Sequence, residues 1–187
     1  MTEPTRIGTR EQILETALEL FTTHGYDATS LREIADRLQL TKAAVYYHFP
    51  AKELLLLELT RPFLDGLSRM VTDIRTAEHS EPESVLAAYL DLFLEHSNVV
   101  SLLGREPATQ YHPDIGQRAR SLVTAIQHHL AGPDPSPSRS VRTACAMGVV
   151  HALPQMPERV LPEQRDTVLA AALAALGERT SRRATAT

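Results

Sequence analysis

Lys42, Ala43, Tyr46 and Tyr47 fall on one stripe of a short helical pattern. They combine one cation, a small residue that lets another backbone approach closely, and two phenolic hydroxyls able to donate to phosphate. That set suits a surface that reads DNA. A buried helix would not carry it, and a merely solvated helix rarely exposes two adjacent tyrosines. Thr41 is placed to cap this helix, while Val45 and Phe49, four residues apart, turn towards a core. The helix before it opens with Ser30 and Glu33 at capping-box spacing and lines up Leu31, Ile34, Ala35 and Leu38 on one face. It gives way to the second helix at Gln39-Leu40. Two short amphipathic helices joined by a tight turn predict a helix-turn-helix over residues 29–49.

Composition bounds the remainder. A chain of 187 residues is long enough for one or two domains with a sizeable core. Aromatic residues make up 5%, Trp is absent, and Ala and Leu dominate, which favours helices over sheets. The net charge is −4, and residues 1–52 hold six Lys or Arg against seven Asp or Glu. Bulk charge therefore does not announce nucleic acid, and the case for DNA is positional. Glu11, Glu15 and Glu19 belong to a first helix, whereas Lys42 and Lys52 bracket the second half of the motif. The single cysteine, Cys145, allows no internal disulfide and fits a reducing cytoplasm. No apolar run approaches the roughly 18 residues of a membrane span, and the N-terminus lacks a hydrophobic signal core. The expectation is a soluble cytoplasmic protein with no membrane partner.

The elements that must position the motif follow in order. Residues 1–8 form a polar arm containing Arg6, either a disordered terminus or a segment that touches the DNA backbone. Thr9 and Gln12 have capping-box spacing, and Ile13, Leu14, Ala17, Leu18 and Phe21 form an apolar stripe ending at Gly25. From residue 54 a long helix runs towards 75, with Pro62 and Gly66 as places to bend. A helix over about 83–96, a short apolar piece over 99–103, a loop over 104–112, and a helix from Pro113 to about 130 come next. Residues 132–137 are the clearest break, with Ser136 and Pro137 suited to start another helix. That helix carries Val141, Ala144, Cys145, Gly148, Val149 and Ala152. A second Pro-rich turn, 154–162, precedes a last helix of Val168, Leu169, Ala171, Ala172, Leu173, Ala175 and Leu176. Small residues let helices approach closely, so these two predict a helix–helix interface between copies of the chain. No repeat and no strand signal is present. The fold class is all-α, with about nine helices: a three-helix DNA-binding domain over 1–52, a helical domain over 53–178, and a polar tail over 179–187.

Residues 29–52 resemble the DNA-binding domain of the tetracycline-repressor (TetR) family. The resemblance rests on Ile34-Ala35, on the run Tyr46-Tyr47-His48-Phe49-Pro50-Ala51-Lys52-Glu53-Leu54, and on Phe21 with Gly25-Tyr26 upstream. It covers about residues 9–58, under a third of the chain. Two positions depart from the family pattern: Gln39 stands where Gly is usual in the turn, and Ala51 where a capping Ser or Asn is common. The resemblance implies that Lys42 and Ala43 meet base edges, beside Thr41, and that Tyr46, His48 and Lys52 meet phosphates. Arg32 holds the position from which the first motif helix reaches DNA, and Tyr47 completes the exposed face. Two positions have alternatives: His48 as a structural histidine beneath Phe49, and Tyr47 as a packed surface aromatic. Lys52 falls in the first turn of a helix, where the dipole disfavours a cation and a bound phosphate would satisfy both.

Beyond residue 75 the likeness is one of length and helix count. It implies a domain that pairs two copies and takes a small-molecule inducer, which shifts the long helix and separates two reading heads. Candidate lining residues are Phe63, Leu67, Met70, Tyr89, Phe93, His96, Tyr111, Met147 and His151. Aromatic and Met residues at helical spacing also simply form core. His128-His129 with His151 does not make a metal site, because adjacent histidines leave a helix in different directions. Gly-rich phosphate loops, His-Glu-x-x-His, nucleophile elbows and paired Cys ligands are missing from the sequence, which points away from an enzyme and implies no cofactor. The expected function is a ligand-responsive regulator, a homodimer released from a palindromic double-stranded operator by a mainly apolar inducer. The alternative is an architectural or interaction protein that binds DNA without an inducer.

Overall fold

The computed structural model describes residues 8–77, 80–155 and 163–177, and the regular elements among them are all helical. Ten α-helices follow one another: α1 Thr9–His24, α2 Leu31–Arg37, α3 Lys42–His48, α4 Lys52–Thr76, α5 Pro82–Glu95, α6 Ser97–Arg105, α7 Pro107–Tyr111, α8 Arg118–Ala131, α9 Pro137–His151 and α10 Arg165–Leu176. A π-helical turn, Pro113–Gln117, leads into α8, and a 3-10 turn, Leu153–Gln155, follows α9. The helix beyond the expected nine is α7, in the stretch the sequence assigns to a loop. Its hydrogen bonds explain it: the Thr109 hydroxyl, fully buried, donates to the carbonyls of Glu106 at 2.7 Å and Leu103 at 3.2 Å. The polar arm with Arg6, the tail over 179–187 and most of the Pro-rich turn over 154–162 lie outside the described residues.

The chain divides into two compact units. The first comprises Met1–Leu64 together with Asn98–Gln117; the second comprises Asp65–Ser97 and Arg118–Thr187. In the first unit Ile13, Ala17, Leu20 and Phe21 of α1, Leu31, Ile34 and Ala35 of α2, and Val45 and Phe49 of the third helix are all buried. These are the apolar positions the helical periodicity selects, and their removal from water is the main force holding three short helices together. Gly8, not Thr9, is the residue before α1, and no side chain caps that helix. The capping box read from Thr9 and Gln12 is therefore not formed; the helix starts one residue early, with Thr9 already in helical conformation. The segment Asn98–Gln117 has a close contact of its own at Gly116, where an added Cβ would stand 2.1 Å from the Gln110 carbonyl oxygen. Only glycine fits there.

The long helix α4 runs unbroken through Pro62 and Gly66. A Cβ on Gly66 would meet Leu92 of α5 at 2.4 Å, so this glycine serves close helix packing in the second unit. There α9 and α10 pack on each other, flanked by α5 and α8. Ser136 and Pro137 start α9 as the sequence predicts, the Ser136 hydroxyl accepting from the Arg139 amide at 3.2 Å. The Arg139 guanidinium donates to Leu130 O at 2.9 Å and Leu176 O at 3.2 Å, satisfying carbonyls at the ends of α8 and α10. Arg165 and Asp91 form a two-pronged ion pair between α10 and α5, at 2.6 and 2.8 Å. No helix among the described residues is long and apolar enough to cross a membrane.

Candidate nucleic-acid interface

The two motif helices are capped from within the sequence. Ser30 accepts from the Glu33 amide at 3.1 Å and Thr41 from the Ala44 amide at 3.2 Å, each satisfying one of the free N–H groups of its helix. Glu33 spends its carboxylate on His24, 3.0 Å away at the end of α1. Gln39 in the turn takes φ +56°, the left-handed conformation that favours glycine, while the Leu40 amide reaches back to Ala35 O at 2.9 Å.

With Val45 and Phe49 buried, α3 has one face left over. Thr41, Lys42, Ala43, Tyr46 and Tyr47 are exposed on it, Tyr47 at 85%. Large aromatics so open to water are unusual without a partner surface. Within the face, the Lys42 ammonium lies 5.1 Å from the centre of the Tyr46 ring, a cation–π contact that holds its stem along the helix. His48 is partly buried and stands edge-to-face with Tyr47 at 5.3 Å. Arg32 is exposed on α2 with only a loose pairing to Asp36 at 3.8 Å. These seven residues lie within 32–48, and all but the partly buried His48 are exposed.

Lys52 is placed differently. Its ammonium is turned inward, onto the carbonyls of Tyr26 at 2.6 Å, Thr29 at 2.9 Å and Asp27 at 3.3 Å, and over the Tyr26 ring at 4.2 Å. Burial, then the neighbouring Glu53 and Asp27 carboxylates, push the Tyr26 phenol above its ordinary range. The sequence gives no hint of Tyr26 as a partner, since 25 residues intervene. Two more tethers in this unit are equally non-local. Arg10 pairs with Glu58 at 2.8 Å while lying over the Phe49 ring, and holds the Glu58 carboxyl below its usual range. His112 donates from Nε2 to Glu53 at 2.8 Å and accepts from the Asp114 amide at Nδ1, which fixes its tautomer.

The residues expected to line a ligand fall in both compact units. Phe63 belongs to the first unit and is buried, whereas Tyr111, in the same unit, is 84% exposed. In the second unit Leu67, Met70, Tyr89, Phe93 and Met147 are buried and His96 is half-buried. Tyr89, Phe93 and His151 do meet: the Tyr89 hydroxyl is 2.7 Å from His151 Nε2, and the Phe93 ring stacks on the imidazole at 5.5 Å. His151 is exposed as a residue, yet its ring packs against the Tyr89 and Phe93 rings. That burial of the ring lowers the pKa of the imidazole, and full burial raises that of the Tyr89 phenol, so both are neutral at neutral pH. Thr143, two turns before His151 on α9, has a buried hydroxyl without a partner among the described residues. Sequence reasoning passed it over because a threonine in an apolar stripe looks like packing. Two open grooves lie elsewhere in this unit, about 300 Å³ along Val71, Ile74, Arg75, Ala125, His128 and His129 and about 390 Å³ around Gly132.

The first unit's geometry has counterparts among known proteins. Residues 13–59 match the model of the family described as bacterial regulatory proteins, tetR family. Over this domain the chain is similar to the TetR family. Over 122 residues it is 32% identical to the uncharacterized HTH-type transcriptional regulator YuxN of Bacillus subtilis, a match covering 63% of this chain and 42% of that protein. It is 31% identical over 123 residues to the HTH-type transcriptional repressor KstR2 of Mycobacterium tuberculosis, covering 60% of this chain and 62% of the repressor. The chain thus spans less than two thirds of either relative. The fold extends further than the sequence likeness. The crystal structure of the TetR-family regulator SCO3833 from Streptomyces coelicolor superposes with a TM-score of 0.69 at 20% identity, covering 94% of this chain and 96% of that one.

Proposed function

We propose that this chain is a DNA-binding transcriptional regulator of the TetR type, a homodimeric repressor that a small, mainly apolar molecule releases from a palindromic operator. The observation that carries the DNA-reading part is the split of α3: Val45 and Phe49 buried, and Lys42, Ala43, Tyr46 and Tyr47 open to solvent. Lys42 and Ala43 would meet base edges, Thr41, Tyr46, Tyr47 and His48 the flanking phosphates, and Arg32 the backbone beside α2. KstR2, to which this chain is similar, is a transcriptional repressor, which supports the direction of control.

Pairing is supported by the small apolar residues left exposed on two helices: Val141, Ala144, Cys145 and Gly148 on α9, and Ala170, Ala171 and Ala174 on α10. An inducer site is supported by the α5–α9 cluster. Tyr89 and His151 supply orienting groups beside the Phe93 ring, and with both titratable groups neutral the cluster favours an uncharged ligand. Helix α4 contributes to both units and is the covalent path by which occupancy would bias the reading head. The alternative is a protein that binds DNA without an inducer.

The test is selection of duplexes from a random-sequence pool by the purified protein. A regulator of this kind enriches an inverted repeat whose half-sites are about 34–36 Å apart, one helical turn. Enrichment no better than background would overturn the reading. A thermal-shift screen of apolar compounds, repeated with the selected duplex present, separates the two forms of the proposal. Coupling between sites is reciprocal, so an inducer binds the DNA complex more weakly, typically by about 5- to 150-fold. Equal binding with and without DNA would leave the architectural form.

A further inference from the structure

We infer that Lys52 is a positioning residue of the reading head rather than a phosphate contact, holding the start of α4 against the α1–α2 loop and so fixing where α3 ends. The inference rests on the DNA-reading function proposed above. An ammonium has three N–H donors and no more. Three carbonyl oxygens, of Tyr26, Thr29 and Asp27, lie 2.6, 2.9 and 3.3 Å from Nζ and take all three, and the face of the Tyr26 ring covers another side at 4.2 Å. A phosphate oxygen finds no donor on Lys52 unless a carbonyl gives one up, and a partly buried carbonyl left unpaired carries a desolvation cost.

What the ammonium joins decides what it does. Thr29, one of its three partners, immediately precedes Ser30, the cap of α2, and its own hydroxyl donates to Gly25 O at 2.8 Å and Leu20 O at 3.3 Å in α1. Lys52 itself is the first residue of α4, with only Phe49, Pro50 and Ala51 between it and the end of α3. One side chain therefore ties together the end of α1, the start of α2 and the start of α4, the points from which α3 is suspended. A cation in the first turn of a helix opposes the helix dipole, and three converging carbonyl dipoles offset that. The tie also explains why the residue type matters. Arginine carries the same charge and reaches phosphate at least as well, but its planar fork spreads five donors outward and cannot converge on three oxygens around one point.

The experiment compares wild type, Lys52→Arg and Lys52→Ala on a duplex selected from random sequence by the wild type. Affinity is measured over a range of salt, below each variant's melting temperature and with helix content checked by circular dichroism. Amide hydrogen exchange is followed in the DNA-free proteins. A positioning role predicts that both variants bind about tenfold more weakly, the equivalent of one charge-assisted hydrogen bond. It predicts an unchanged slope of log affinity against log salt, and faster exchange confined to residues 24–30 and 50–53. Wild-type affinity in Lys52→Arg, with a slope flattened by about one unit per head in Lys52→Ala, identifies a phosphate contact and overturns the inference. Should the wild type select no duplex, the DNA-reading proposal fails by itself. The exchange measurement still decides the tie, since unaltered exchange around residues 24–30 in both variants refutes it.

Discussion

At position 39 the turn between α2 and α3 needs a backbone conformation that glycine adopts freely, and the chain supplies glutamine at φ +56°. A non-glycine residue in that region carries a penalty of about 1–2 kcal/mol from its Cβ, partly offset by the lower chain entropy it brings to the unfolded state. Gln39→Gly should therefore stabilise the protein by about 1 kcal/mol, read as a higher urea midpoint with an unchanged slope. A lower midpoint would mean that the glutamine side chain contributes something the turn geometry does not reveal. The departure at this position is visible in the sequence as an unexpected residue type; that the backbone nonetheless turns left-handed is visible only in the structure. Lys42 and Lys52 make the same point more sharply. In sequence they are two lysines flanking one motif, yet one lies along an exposed tyrosine and the other is enclosed by carbonyls 23 to 26 residues away.

Among the elements, α10 is held to α5 by the Asp91–Arg165 pair and to α9 by apolar contact. The Arg165 guanidinium holds the Asp91 carboxyl below its usual range and is itself pushed further above its own. A depressed carboxyl contributes stability that is fully present above the unfolded aspartate value of about 3.9 and is lost as pH falls through the folded value. The advantage of wild type over Asp91→Asn in melting temperature should thus be constant from about pH 7 to 5 and shrink below about pH 4. Because the carboxylate is more than half exposed, solvent screening keeps the effect modest. A difference that persists undiminished at pH 3 would show that the aspartate acts through packing instead. At this scale the sequence is highly legible: nine of the ten helices among the described residues fall where its periodicity and turn signals put an element. It misses α7, which is five residues long and depends on hydrogen bonds that periodicity does not register.

For the whole molecule, the proposed dimer makes an asymmetric claim about two small residues. Gly148 lies on an open face of α9, with nothing within 4 Å of where a Cβ would stand, whereas Ala172 is fully buried inside the protomer. Ala-rich helices have no clear apolar stripe, so composition alone treats both as interface residues; the structure removes Ala172 from that set. Gly148→Glu should give a folded monomer by light scattering at micromolar concentration, while Ala172→Glu should fail to fold. A dimer unaffected by Gly148→Glu would place the pairing surface elsewhere. By itself, the sequence determined the all-helical class, the helix-turn-helix with its two caps, and the accessible stripe of α3. All of these rest on contacts three or four residues apart, which spacing encodes directly. Only the tertiary structure decided that Asn98–Gln117 joins the first compact unit and that Tyr111 points to solvent while Tyr89 is buried against His151. It alone shows that Lys52 faces inward, because a lysine satisfies a phosphate or a ring of carbonyls equally well, and the choice is made by distant backbone that no local pattern records.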